Sequence, residues 1–279
     1  MKKELIPGPI GVFDSGYGGL TILSEIQKLL PQYDYIYLGD NSRAPYGTRS
    51  FDVVYEFTKQ AVLALFDQGC NLVILACNTA SAKALRTIQQ NDLPYINPNK
   101  RVLGIIRPTA EIIGNITKTR HIGIVGTPGT IQSESYSIEI SKLHPDIIVN
   151  SHACPMWVPI VENNEFNTEG ADYFIKKDLD SILNSDKEID TLILGCTHYP
   201  LLINKIKQYA PSGLQILSQG TYVAESLENY LSRHPEIEDS CTKNGNTQYY
   251  TTESASKFKE SASIFLNKEI EVKRINIEG

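Results

Sequence analysis

The strongest constraint on this chain is a strand-and-turn motif that occurs twice. Ile10-Gly-Val-Phe-Asp-Ser-Gly-Tyr-Gly18 is echoed 112 residues later by Ile122-Gly-Ile-Val-Gly-Thr-Pro-Gly-Thr130. Val73-Ile-Leu-Ala-Cys-Asn-Thr79 is echoed 119 residues later by Leu192-Ile-Leu-Gly-Cys-Thr-His198. Two echoes in the same order at nearly the same offset indicate duplicated lobes. Around them, β-rich apolar runs at 10–13, 35–38, 72–75, 102–106, 122–125, 146–149, 192–194 and 214–217 alternate with loops or segments of helical period. Leu20, Ile22, Leu23, Ile26, Leu29 and Leu30 mark the first helix, and Ser50 is a candidate cap for one that stops at Gly69. Repeated strand–helix units predict an α/β fold of two pseudo-symmetric lobes, each a parallel sheet flanked by helices. The expected division is 1–100 with 212–279 for the first lobe and 101–211 for the second.

Open parallel sheets bind ligands beyond the carboxyl ends of their strands. Two facing lobes therefore place four strand ends around one cleft, with Cys77 opposite Cys196. Each thiol ends a very apolar strand and precedes a small polar residue, Asn78 or Thr197, suited to cap the next helix. A helix start favours a reactive thiolate and also holds a carboxylate. Cysteine is also an ordinary buried residue. The equivalence of these two in duplicated motifs favours function, whereas Cys70, Cys154 and Cys241 read as packing.

Two opposed thiols suit inversion at carbon, one removing a proton from one face while the other delivers a proton to the opposite face. Asp14 and Ser15 end the first strand, and His198 lies two residues past Cys196. Their carboxylate and imidazole can set the charge of the thiols or hold an ammonium. In the loop Asp40-Asn-Ser-Arg-Ala-Pro-Tyr-Gly47, Tyr46 and Gly47 offer a hydroxyl and an N–H to a carboxylate, with Pro45 fixing their approach. Arg43 and Arg49 read as ordinary surface ion pairs.

Composition narrows the alternatives. Thirty-two acidic against 26 basic side chains give a net charge of -6, which argues against a nucleic-acid partner. The opening segment breaks at Pro7, Gly8 and Pro9, and apolar runs stay short of the ~18 residues of a membrane span, so an untargeted, cytoplasmic protein is expected. Five irregularly spaced cysteines do not suggest a disulfide scaffold. Gly16-Tyr-Gly18-Gly-Leu-Thr21, with Asp40 ending the next strand, nearly matches a dinucleotide fingerprint. Thr21 at the third glycine position and Asp14 beside the pyrophosphate count against it. A Cys77–His198 nucleophile–base pair for acyl transfer, a two-lobed amino-acid binder, and a zinc site on Cys77, Cys196 and His198 also stand as readings.

With these residues the sequence resembles glutamate racemase, of the cofactor-independent aspartate/glutamate racemase superfamily. The matching stretches are FDSGYGGL (13–20), GDNSRAPYG (39–47), ACNTAS (76–81), GTPGT (126–130), CPMWVPIVE (154–162) and LGCTHYPLL (194–202). The resemblance implies that L- and D-glutamate bind between the lobes, that no cofactor or metal is needed, and that D-glutamate is supplied for peptidoglycan. It implies that Cys77 takes the proton from D-glutamate and Cys196 from L-glutamate, with Asp14 and His198 as auxiliaries. It further implies that Asp14, Ser15, Tyr46, Gly47, Asn78, Thr79, Thr197 and His198 bind glutamate and that Glu162 supports His198. A solvated helix-end carboxylate is the other reading of Glu162. A homodimer is among the assemblies the resemblance allows. The choice of glutamate over aspartate rests on the resemblance, because both carry two carboxylates and one ammonium. Two stretches depart from the family pattern: Arg107-Pro108, where many relatives have Glu-Pro, and Leu217-Ser-Gln-Gly220. Neither is expected to touch the thiol motifs.

Overall fold

A computed structural model describes residues 5–266 and 268–277. Its strands are β1 Ile10–Asp14, β2 Tyr35–Gly39, β3 Leu72–Leu75, β4 Arg101–Gly104, β5 His121–Gly126, β6 Ile148–Ala153, β7 Thr191–Gly195, β8 Gln215–Leu217, β9 Thr247–Thr251 and β10 Val272–Arg274. All of these pair in parallel, in two sheets of order β10-β9-β2-β1-β3-β4 and β6-β5-β7-β8. In the first sheet the chain moves from β1 to β2 on one side and places β3 on the other. The second sheet repeats this with β6 and β7 on either side of β5. Each sheet thus has a topological switch point, between β1 and β3 and between β5 and β7, where adjacent strand ends leave a crevice. The duplicated sequence motifs are the strands that flank these two points.

Helices cover both faces of each sheet, which is why the central strands are apolar throughout rather than alternating. On the first sheet, Leu20, Leu23 and Ile26 of helix Gly19–Leu29 pack on Val12, Tyr35 and Leu72, beside Val223 and Leu227 of helix Gly220–Arg233. On its other face, Val54, Val62 and Leu65 of helix Phe51–Asp67 meet Phe13, Leu38 and Val73. That helix begins at Ser50, whose hydroxyl accepts from Val53 N at 3.4 Å, and the chain leaves it through Gly69 at φ +92°, a left-handed position that favours glycine. The second sheet lies between helix Glu169–Ser185, through Ile175, Leu179 and Ile182, and helices Ile106–Ile116 and Ser135–Leu143, through Ile113, Tyr136 and Ile140. A core side chain of this kind contributes ~1.5–3 kcal/mol by its burial, so the sheets that carry the switch points are firmly held.

The lobe boundaries differ from those expected by one strand at each crossing. Residues 101–104 form β4 and pair with β3 in the first sheet, while β8 pairs with β7 in the second. Both are edge strands, whose sheet is decided by tertiary pairing and not by local pattern. The run at 102–106 stops as a strand at Gly104 because Ile106 already opens a helix, and the run at 146–149 becomes a strand from Ile148 to Ala153. Among the described residues no helix is long and apolar enough to cross a membrane.

Candidate active site

Beyond the carboxyl ends of β1 and β3 on one side and β5 and β7 on the other lies a cavity of about 120 Å³. Its size suits a small metabolite rather than a drug-sized ligand. The expected catalytic, substrate-binding and supporting residues all line it: Asp14, Ser15, Tyr46, Gly47, Cys77, Asn78, Thr79, Glu162, Cys196, Thr197 and His198. A larger groove of about 710 Å³ runs past Arg86, Arg107, Glu111 and Glu139. It contains neither thiol, so the smaller cavity, where titratable groups converge, is the candidate site.

Cys77 follows the apolar β3 and is itself the cap of helix Asn78–Lys83, its Sγ accepting from Ala80 N at 3.4 Å. Asn78 is therefore the first helical residue, not the expected cap. The Cys77 thiol also donates to Ser15 Oγ at 3.5 Å. Burial, together with the nearby Asp14 carboxylate, pushes this thiol up to about 12 against the hydrogen bonds it shares with Ser15 and Ala80. At neutral pH Cys77 holds its proton.

Cys196 has different neighbours. Its Sγ lies 3.8 Å from His198 Nδ1, and His198 Nε2 lies 3.0 Å from Glu162 Oε1. Burial pulls the imidazole down, but the hydrogen bonds to Cys196 and Glu162 and their charges outweigh it and hold His198 up at about 10. A protonated imidazole can bond Cys196 through Nδ1 and Glu162 through Nε2 at the same time. The ring of Phe265, from helix Ala255–Leu266, meets the imidazole edge to face at 5.7 Å. Thr197 caps no helix either, since the short turn Tyr199–Leu202 follows His198 without a side-chain cap. The two thiols are equivalent in topology and unlike in charge environment.

The glycine-rich turn also has a clear function in the fold. Asp14 Oδ2 accepts from Gly16 N at 2.9 Å, so the turn that would hold a pyrophosphate is filled from within. Burial raises Asp14 above the usual carboxylate range, against the attraction of His198. Asp40, the would-be ribose ligand, is fully buried and bonded by Arg43 Nε at 2.7 Å, by Thr252 Oγ1 at 2.9 Å and by the Tyr46 hydroxyl. The dinucleotide reading fails on both counts. Gly18 is needed for close approach instead, because a Cβ there would lie 2.3 Å from Thr197 Oγ1 and 2.5 Å from His198 Nδ1.

The loop residues need correction. Arg43 is buried, ion-paired to Asp40 and laid over Phe57 at 4.2 Å, not a surface pair. Arg49 Nη2 donates to Arg43 O at 3.4 Å. Tyr46 lines the cavity, but its hydroxyl is directed to Asp40 and not toward a ligand. Gly47 O accepts from Gly129 N at 2.7 Å, and Thr79 Oγ1 lies 3.0 Å from Thr127 Oγ1, so both join the lobes at the cavity rim. The nucleophile–base pairing of Cys77 with His198 is not formed either, since the thiol beside His198 is Cys196.

Gln219 was missed. It is buried and receives a hydrogen bond from Asn78 Nδ2 on Oε1 at 2.8 Å, while its Nε2 lies 3.0 Å from Ile105 O and 2.6 Å from Tyr136 Oη. Tyr136 in turn donates to Asn78 Oδ1 at 2.6 Å. The departing stretch Leu217-Ser-Gln-Gly220 therefore reaches the residue beside Cys77, contrary to expectation. Arg107 stays apart, 60% exposed and paired with Glu111 at 2.9 Å.

Comparison with known proteins gives a consistent picture. A profile of the Asp/Glu/hydantoin racemase family matches residues 18–227. The glutamate racemase of Ruegeria sp. (strain TM1040) is 40% identical over 271 residues, covering 94% of this chain and 97% of that protein. The crystal structure of a glutamate racemase isoform from Bacillus anthracis superposes with a TM-score of 0.87 at 37% identity, over 99% of this chain and 98% of that one. The glutamate racemase of Francisella tularensis, solved with D-glutamate, gives a TM-score of 0.85 at 32% identity, over 97% and 98% of the two chains.

Proposed function

The chain belongs to the Asp/Glu/hydantoin racemase family, alongside its glutamate racemases, and from that premise we propose that it interconverts L- and D-glutamate by proton transfer between Cys77 and Cys196. The observation that carries the mechanism is the pair of thiols at the two switch points of one small cavity, one backed by Asp14 and the other by His198 and Glu162. With L-glutamate, the Cys196 thiolate removes the α-proton. The Cys77 thiol, held protonated by its surroundings, delivers its own proton to the opposite face, and the carbanion becomes D-glutamate. The reverse reaction begins with Cys77 as base, once Asp14 and Ser15 have accommodated its changed charge.

The other cavity residues position the substrate. The Asn78 and Thr79 amides at the start of helix Asn78–Lys83 have no partner within it and suit a carboxylate, with the hydroxyls of Ser15, Thr79 and Thr197 nearby. Asp14 suits the ammonium. The rim contacts at Gly47 and Thr79 keep the lobes closed over the substrate and strengthen these electrostatic contacts by excluding water. Supply of D-glutamate for peptidoglycan, a cytoplasmic location and a homodimeric state complete the reading.

Its test is proton NMR with circular dichroism on L-glutamate in D2O, with no cofactor added and L-aspartate in parallel. Loss of the α-proton signal with decay of optical activity is expected for glutamate. Absence of exchange by folded, reduced protein would reject the racemase assignment.

A further inference from the structure

A second cluster of chemically capable side chains lies behind the cavity wall. His152 is near the end of β6, Cys154 follows that strand directly, and Asp178 projects from helix Glu169–Ser185. One donor atom from each lies within 4.8 Å of the other two. Among the described residues this is the one grouping of three or more His, Cys, Asp or Glu side chains close enough to share an ion. His152 Nε2 is 3.1 Å from Asp178 Oδ1, and the Cys154 thiol points to His152 O at 4.0 Å. The Asp178 side chain is 8% exposed, and its ion-pair partner among the described residues is the 29% exposed His152. A nearly buried carboxyl, a partly exposed imidazole and a buried thiol thus converge on one point, a donor set that a cation would complete.

We propose that His152, Cys154 and Asp178 bind one divalent transition-metal ion of the zinc class. The donor set selects the metal. One nitrogen, one sulfur and one oxygen suit Zn²⁺ or Co²⁺, whereas Ca²⁺ and Mg²⁺ take oxygen ligands. Three protein ligands leave a fourth tetrahedral position, and the partly exposed side of His152 opens it to water. Bonds of ~2.0–2.3 Å place tetrahedral ligand atoms roughly 3.5 Å apart, so the widest donor separation closes by roughly 1 Å on binding. The Cys154 S–H bond breaks as the metal–sulfur bond forms, and the proton leaves to solvent. No oxidation change occurs.

The site is separate from the racemising thiols but mechanically close to them. Cys154 and Pro155 line the cavity wall, and the following helix Trp157–Glu162 ends at the carboxylate that holds His198. A metal bound at Cys154 would fix the start of that segment.

The test is titration of the full-length, reduced, metal-free protein with Co²⁺, followed by displacement with Zn²⁺. One equivalent of Co²⁺ should produce a thiolate-to-cobalt charge-transfer band in the near ultraviolet and visible bands of tetrahedral geometry. The ultraviolet band should vanish in Cys154→Ser. His152→Gln, a change at the partly exposed ligand that the fold should accept, should weaken Co²⁺ binding at least tenfold. Zn²⁺ should raise the melting temperature of the unmodified protein and raise that of His152→Gln much less. Absence of a charge-transfer band would overturn the proposal. So would a band that persists in Cys154→Ser and disappears in Cys196→Ala, or unchanged affinity in His152→Gln.

Discussion

Replacement of Glu162 by Gln isolates the charge that holds His198. The change is nearly isosteric, and it removes the negative charge of a carboxylate whose Oε1 lies 3.0 Å from Nε2. Two unit charges ~4 Å apart at an effective dielectric of ~20 interact by about 4 kcal/mol. The 27% exposure of the Glu162 side chain screens part of this, which brings the effect to the ~1–2 units common for one neighbouring opposite charge. His198, held up at about 10 in the native site, should then lose its proton at a pH lower by roughly 1–2 units. In kcat/KM, which reports free-enzyme ionisations, the alkaline limb should move down by that amount, with about a tenfold loss at pH 9.5 and less than twofold at pH 7. The assay is the pH profile of racemisation by circular dichroism, begun from either enantiomer. Since the equilibrium constant is one, kcat/KM must agree in the two directions. An alkaline limb that stays in place would refute the argument that Glu162 acts through the charge of His198.

Stability should follow the same ionisation. His198 is raised from 6.5 to about 10 in the folded protein, so its stabilisation is complete below ~6.5 and is lost as pH rises through the folded value. The melting-temperature gap between the native protein and Glu162→Gln should therefore be widest near pH 6.5 and close toward pH 10; a gap that widens with pH would contradict this sign. Gly18→Ala places a methyl group against Thr197 and His198 at a backbone of φ -57° and ψ -38° that alanine adopts freely. Overpacking of this kind costs ~1–3 kcal/mol, and kcat/KM should fall more than tenfold while the far-ultraviolet circular dichroism is unchanged; native kinetics would show that the lobes need no such close contact. Gln219→Ala leaves the buried Asn78 amide and Tyr136 hydroxyl without a shared partner. A loss of ~1–3 kcal/mol in denaturant unfolding is expected, with a lower kcat/KM, and native stability would remove Gln219 from this role.

The parts of the fold visible in the sequence are those with a strong local cause. The four strands that flank the switch points are buried on both faces, so they read as apolar runs, and the small residues that follow them mark the helix starts. The edges lack such a signal. Thr247-Gln-Tyr-Tyr-Thr251 is too polar to read as a sheet strand, and Val272–Arg274 is too short; each takes its place by pairing beside an existing strand. The same reason misplaced the lobe boundaries at β4 and β8. At the site, the chemically reactive residues could be found because they end duplicated strands. Their partners could not all be found that way. Nothing beside Gln219 in sequence signals a contact with Asn78, which comes from 141 residues away. The burial of Arg43 depends on Asp40 and Phe57 meeting in a folded loop. Cys77 took the capping position expected of Asn78 because its sulfur, and not the amide, points back to the free Ala80 N–H.

The central claim is that two thiols divide the proton transfers, and α-proton exchange in single-cysteine variants tests it most directly. Cys77→Ser and Cys196→Ser are incubated separately with L- and D-glutamate in D2O and followed by proton NMR and circular dichroism. Neither variant should racemise at a rate near that of the native protein. Cys77→Ser should still exchange the α-proton of L-glutamate with retention, through Cys196, and Cys196→Ser that of D-glutamate, through Cys77. Near-native racemisation by either variant would contradict the two-thiol account.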